Sequence, residues 1–253
     1  MLKSRVIPVL LIRNNGLVKT IKFKDDKYVG DPLNAVRIFN EKEADELAVF
    51  DIDASVKEVE PNYKLIENLA AECRMPLCYG GGIKTLEQAL KILSLGVEKV
   101  ALSSIALENP NLISDIAQRT GNQSVVVVLD VKKKLFGGYA VYVNNGTKLI
   151  KGDLFEHIAK LEERGVGEFI INHIDLDGVM KGYDLNLIEK LKSLVNVPLT
   201  VCGGAGNHSD LSQVIKSFSP IGVAAGSLFV FKGKYRAVLI SYPNSKNKDS
   251  LFN

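Results

Sequence analysis

"ELAVFDID", residues 46–53, returns as "EFIINHID", residues 168–175, a shift of 122 positions. Both stretches open on glutamate, continue through apolar residues and close on Ile-Asp. The same offset recurs in order along the chain. "CYGGGIKT" from Cys78 matches "CGGAGNHS" from Cys202 at a shift of 124, and "VALSSIALEN" from Val100 matches "VAAGSLFVFK" from Val223 at 123. "VIPVLLIR", residues 6–13, lies over "VVVVLDVK", residues 125–132. An offset near half the chain, held through successive matches, reads as two half-length copies of one structural unit.

The repeated stretches belong to a set of eight short apolar runs: "RVIPVLLI", "ELAVFDID", "PLCYGG", "EKVALSS", "SVVVVLD", "EFIINHID", "PLTVCGG" and "IGVAAGS". Near-continuous Val, Ile and Leu suits strands covered on both faces, as in a parallel sheet. Between them lie helical patterns such as "TLEQALKILSLG" and "DLNLIEKLKSLV", apolar at i, i+3, i+4 and i+7. Eight strands alternating with helices predict a single (β/α)8 TIM barrel over residues 1–240, made of two four-strand halves. A doubly wound open sheet is the alternative, disfavoured by eight regular units. Two segments fall outside the repeat. Residues 14–31 read as a long polar connection after strand 1, and residues 135–150 as a hairpin turning at "NNGT" after strand 5. Residues 241–253 read as a polar, frayed tail.

Bulk properties narrow the function. The chain has 253 residues, a length that suits one barrel. With 32 cations against 29 anions, the net charge of +3 gives no argument for nucleic acid. No apolar run has the length of a membrane span, and the first residues lack a signal peptide's apolar core. Cys73, Cys78 and Cys202 have no CxxC spacing, so reduced thiols in a cytoplasmic protein are expected and a zinc site is not.

"YGGGIKT" and "CGGAGN" place glycines directly after strands 3 and 7, where a turn can expose backbone N–H groups to a phosphate. Each is followed one unit later by a small polar strand end, Ser103–Ser104 and Gly226–Ser227, before a helix start. Two such constellations half a barrel apart would hold a molecule carrying a phosphate at each end; the alternative is that the glycines simply make tight turns. Asp51 and Asp53 end strand 2, Asp130 ends strand 5, and Asp175 and Asp177 end strand 6. Carboxylates there are candidates for acid/base work or for bracing loops. Lys19 is either a phosphate ligand or a solvated surface lysine. His173 and His208 lack metal-ligand company, so packing or capping roles are expected. Arg5, Glu46, Lys99 and Glu168 precede strands 1, 2, 4 and 6, which puts two cations and two anions at the barrel floor; spacing alone favours a stabilising role.

The stretches "RVIP", "GDP" at 30–32, "DELAVFDIDAS", "YGGGI", "ALENP", "VVVVLDVK", "GVGEFIINHIDLDG", "KGYD" and "CGGAG" together resemble the cyclase subunit family of imidazole glycerol phosphate synthase over about residues 1–240. The resemblance implies a barrel that binds a two-phosphate ribonucleotide of histidine biosynthesis and needs no cofactor. It also implies a glutaminase partner on the N-terminal face, whose ammonia crosses the barrel. On that pattern Arg5, Glu46, Lys99 and Glu168 become an ammonia gate. The phosphate positions fall on Lys19, Gly82, Ser103, Ser104, Asp177, Gly178, Gly204, Gly226 and Ser227.

The family's two acid/base aspartates end strands 1 and 5. Asp130 matches the second, but the first position holds Leu11. Other departures are Asn172–His173 for threonine–serine, "DLDGV" at 175–179 for "DRDGT", and Ser103–Ser104 for asparagine–threonine. "PVLLI", "VKTIKF", "KYVGDP", "PLCYGGGI" and "GSLFVFKGKYRAVLISYP" look like a paralogous branch tied to bacterial surface polysaccharides. There, barrel and glutaminase supply ammonia to a sugar amidotransferase that makes acetamidino groups. The resemblance thus implies ammonia channelling for acetamidino-sugar formation. The alternatives are an active cyclase of histidine biosynthesis and a related ribonucleotide isomerase.

Overall fold

A computed structural model describes residues 3–252; Met1, Leu2 and Asn253 lie outside the described residues. Eight strands, Arg5–Arg13, Leu47–Asp51, Leu77–Gly80, Lys99–Leu102, Val125–Lys133, Glu168–His173, Leu199–Cys202 and Gly222–Ala225, form the barrel wall. Each pairs in parallel with the next, and the eighth pairs with the first, with Arg5 beside Gly222 and Ile7 beside Ala224. Closure leaves no free edge in this wall, which is a (β/α)8 barrel. These are barrel strands 1 to 8 below.

The strand sequences explain why the wall has two apolar faces. Alternate residues point to opposite sides. Val6, Leu10 and Ile12 pack outward against helices, whereas Ile7, Val9 and the partly buried Leu11 belong to the cluster inside the barrel. The small side chains of Ala48, Cys78, Ala101 and Ala224 share that lumen with the larger Val126, Val128 and Ile170. The helices begin where their capping residues dictate. Asp31 caps helix Pro32–Glu41, accepting from the Asn34 amide at 2.9 Å, with proline in the first turn. Thr85 and Gln88 form a reciprocal box at helix Leu86–Ser94, and Asn207 and Asp210 do the same at helix His208–Phe218.

Two expectations change. The segment expected as a polar connection after strand 1 is a β-hairpin, Gly16–Ile21 with Lys24–Gly30. Its first strand pairs antiparallel with strand 1, Leu11 opposite Val18. The hairpin expected after strand 5 forms, with Tyr139–Val143 antiparallel to strand 5 and Asp130 opposite Tyr142. The two halves therefore repeat even where their sequences do not: strands 1 and 5 both overrun the wall and fold back. The C-terminal stretch, expected to fray, ends in helix Ser245–Phe252. Leu251 is buried and its carbonyl accepts from Ser212, while the Lys248 ammonium meets Asp45 at 2.6 Å. Among the described residues, Leu251 and Lys248 contribute an apolar anchor and an ion pair to a segment that is polar by composition.

Candidate functional site

The strand C-termini open on a cavity of about 500 Å³. The position that separates the two halves lies on its wall. Leu11 and Asp130, at matching places on strands 1 and 5, both line it. Asp130 Oδ1 accepts from Asn172 Nδ2 at 3.0 Å. Burial pushes the Asp130 carboxyl up to about 7; the Asn172 bond opposes the rise and Asp177 adds to it. A carboxyl in that range can hold or release a proton near neutral pH. The isobutyl group of Leu11 can do neither.

Lys19 is not the solvated surface lysine that sequence left open. It sits on the hairpin strand Gly16–Ile21, is buried, and donates from Nζ to the Val9 carbonyl. Burial lowers its amine to about 8, against the opposing pull of Asp177 and Cys202. Asp177 anchors the same hairpin: its carboxylate accepts from the Thr20 hydroxyl at 2.8 Å and its carbonyl from the Lys22 amide at 2.9 Å. Asp51 braces the loop after strand 2, accepting from the amides of Asp53 and Ala54 at 3.0 and 3.1 Å. Asp53 is held by Arg13 and Lys57, at 3.0 and 2.6 Å. Arg13 also pairs with Asp26 at 2.8 Å, tying the first hairpin to that loop.

Of the positions proposed for phosphate, Lys19, Gly82, Ser103, Ser104, Asp177 and Gly226 share the cavity wall. Gly178, Gly204 and Ser227 do not. Gly178 backs onto the Thr20 carbonyl, the Gly204 carbonyl is taken by the Gly182 amide at 2.8 Å, and the Ser227 hydroxyl accepts from Arg236 at 3.2 Å. The first glycine turn is thus open to the cavity and the second is largely covered. At Gly81 and Gly82, φ is +126° and +73°, where a side chain would also collide with neighbouring backbone.

His173 is buried against the Tyr139 ring, with Nε2 3.5 Å from Asp184. Burial lowers its basicity, and Asp184 partly restores it. His208 opens helix His208–Phe218 beneath the Asn207 cap. All three cysteines are free. Among the described residues, no group of three or more His, Cys, Asp or Glu is placed to hold a metal, and no helix is long and apolar enough to cross a membrane.

At the opposite end, Arg5, Glu46, Lys99 and Glu168 meet in a closed ring. Arg5 contacts Glu46 and lies 2.7 Å from Glu168; Lys99 lies 2.7 Å from Glu46 and 2.9 Å from Glu168. Cations and anions alternate, so every charge has two opposite neighbours. Both carboxylates are buried, while Arg5 and Lys99 keep partial access to solvent. Burial works against the charge on Glu168, but Arg5 and Lys99 override it and hold the carboxyl well below its usual range. Burial likewise opposes the charges of Arg5 and Lys99, which Glu168 and Glu46 outweigh, raising both. Sequence reading missed Thr200, which is fully buried and donates to Glu168 at 2.5 Å. Its signal was a lone hydroxyl in the apolar run "PLTVC". Arg13 and Arg236 were also missed, because nothing local marks them.

Comparison with known proteins agrees with this architecture. The model of the family described as histidine biosynthesis protein matches residues 5–236. The chain is 61% identical over 249 residues to the provisionally named imidazole glycerol phosphate synthase subunit hisF3 of Vibrio vulnificus, spanning 98% of this chain and 96% of that one. It is 56% identical over 249 residues to the provisionally named subunit hisF2 of Pseudomonas aeruginosa, spanning 98% and 99%. To the imidazole glycerol phosphate synthase subunit HisF of Streptococcus sanguinis it is 35% identical over 229 residues, spanning 90% and 91%. The chain belongs to the histidine biosynthesis protein family, as a HisF-type barrel of the imidazole glycerol phosphate synthase cyclase subunits.

Proposed function

We propose that this barrel delivers ammonia and does not cyclise. It would receive ammonia from a glutaminase docked under the floor ring and pass it through the lumen. A separate amidotransferase would then use it for acetamidino-sugar formation in surface polysaccharide biosynthesis. The observation that carries this reading is the pairing of two features. Leu11 faces the cavity where the family's chemistry calls for a carboxylate, yet the four-charge ring at the other end is complete. Loss of an acid/base group removes about 10²–10⁴ in rate, while an ammonia gate is independent of it.

The lumen chemistry supports transport of neutral ammonia. Beyond the ring a permeant meets Ile7, Ala48, Cys78, Ala101 and Ala224. Burial holds the Cys78 thiol protonated and uncharged. An ammonium ion would lose its hydration there without a partner, whereas ammonia would not. The lumen would therefore admit the base and turn back the cation.

The cyclase reading has one observation in its favour: Asp130 titrates near neutrality, as a working acid/base should. Supplying the two-phosphate ribonucleotide with excess ammonium salt decides between them. Little imidazole product is expected; turnover matching an ordinary cyclase overturns the proposal. Phosphate binding is tested separately, by soaking with inorganic phosphate, which should order at Gly82 and Ser103–Ser104.

A further inference from the structure

Two segments on the C-terminal rim together hold eight cations and no acid. Residues 132–151, strand 5's overrun and its hairpin, hold Lys132, Lys133, Lys134, Lys148 and Lys151 with no acid; residues 232–242 hold Lys232, Lys234 and Arg236 with none. With a net charge of only +3, the rest of the molecule is net acidic. The cations also surround apolar tips. Leu135 is 91% and Phe136 99% exposed at the turn of the strand 5 hairpin, and Tyr235 is 83% exposed in the turn after strand 8. Lys27 of the first hairpin donates to the Arg236 carbonyl at 3.2 Å, which joins that hairpin to the turn after strand 8.

We infer that this rim is the docking surface for the enzyme that consumes the ammonia, through an acidic face with an apolar socket for Leu135 and Phe136. The inference rests on the delivery reading and adds the surface that delivery requires. Ammonia leaving an open mouth at neutral pH takes up a proton from water and is lost as a nucleophile, so the consumer must cap the opening. Two adjacent bulky side chains almost wholly in water, on a turn with no packing partner, suit anchors better than scattered surface residues. Glu108 approaches Lys148 at 3.8 Å and the first hairpin adds Asp25 and Asp26, but the two segments themselves carry only cations, which favours an acidic partner and speeds its encounter.

The test reconstitutes the barrel, its glutaminase and the sugar amidotransferase of the same organism. Acetamidino product per glutamate released is compared with product made from free ammonium salt. The double substitution Leu135→Ser and Phe136→Ser should cut the glutamine-coupled yield roughly tenfold or more and weaken amidotransferase binding in sedimentation. Use of free ammonium and the melting temperature should stay unchanged. Lys133→Glu with Lys134→Glu should slow association and flatten its salt dependence. Coupling and binding unchanged in both variants overturn the docking surface and leave the delivery reading standing. No glutamine-dependent product from the wild-type assembly, with an amidotransferase active on ammonium, overturns the delivery reading and the docking surface with it. Sedimentation with phosphatidylcholine–phosphatidylglycerol vesicles, and not with the enzyme, assigns the rim to a membrane and overturns the proposal.

Discussion

Leu11 and Asp130 occupy equivalent places in the two halves, so exchanging their chemistry is a one-residue experiment. Leu11→Asp puts a second carboxylate on the wall of the cavity that Asp130 also lines, where burial pushes the Asp130 carboxyl up to about 7. If acid/base chemistry is what the chain lacks, residual cyclisation of the ribonucleotide should rise by about tenfold or more. No change would assign the deficit to Asn172, His173 or the covered second glycine turn. Asp130 also makes stability depend on pH. Its folded carboxyl is raised above the ordinary aspartate value, so between about 4 and 7 the folded chain binds more protons than the unfolded one and stability falls as pH rises. Asp130→Asn removes that loss. The variant should gain about 1–3 kcal/mol over wild type at pH 8, allowing for contact with the cavity, and little at pH 4. Urea midpoints at the two pH values measure it.

At the scale of elements, four strands bring together a ring that none of them could hold alone. Lys99→Ala leaves Glu46 and Glu168 sharing only Arg5 in a buried setting. If the ring is dry and structural, that should cost about 3–5 kcal/mol. If it is a gate, the fold should survive, product per glutamate should change, and use of free ammonium should not. An unchanged ratio in both Lys99→Ala and Glu168→Ala rejects the gate. The C-terminal helix offers a cleaner stability measurement. Leu251 is its buried anchor, so Leu251→Ala should cost about 2 kcal/mol in a denaturant titration. No loss would mean the helix is only peripherally docked.

Across the whole molecule, the ring, the lumen and the mouth lie in line along the barrel axis, and the lumen is where a blockage should show. Ala224 is fully buried inside the barrel. Ala224→Val adds two methyl groups to a filled interior and should cost about 1–3 kcal/mol. If ammonia passes there, product per glutamate should drop while free ammonium still serves the acceptor from outside. Equal losses from both nitrogen sources would point to general damage, and no loss from either would place the route elsewhere.

The sequence by itself determined the barrel, because strand runs, helix periodicity, caps and glycine turns are short-range signals and their half-chain repeat announces closure. It also singled out Leu11 and Asp130, since a one-residue difference between aligned copies is visible without coordinates. Only the tertiary structure decided what those residues meet. Arg5 and Glu168 are 163 positions apart and touch because the wall closes. Thr200 joins them because alternation turns its hydroxyl inward on strand 7. Sequence left Lys19 open between a phosphate ligand and a surface lysine because burial depends on how its hairpin folds back against strand 1. The polar composition of the C-terminal stretch concealed a helix, since Leu251 and Lys248 find partners far away in the chain. Local chemistry specified the elements; which side chains became buried, paired or exposed followed from long-range packing that no window of sequence contains.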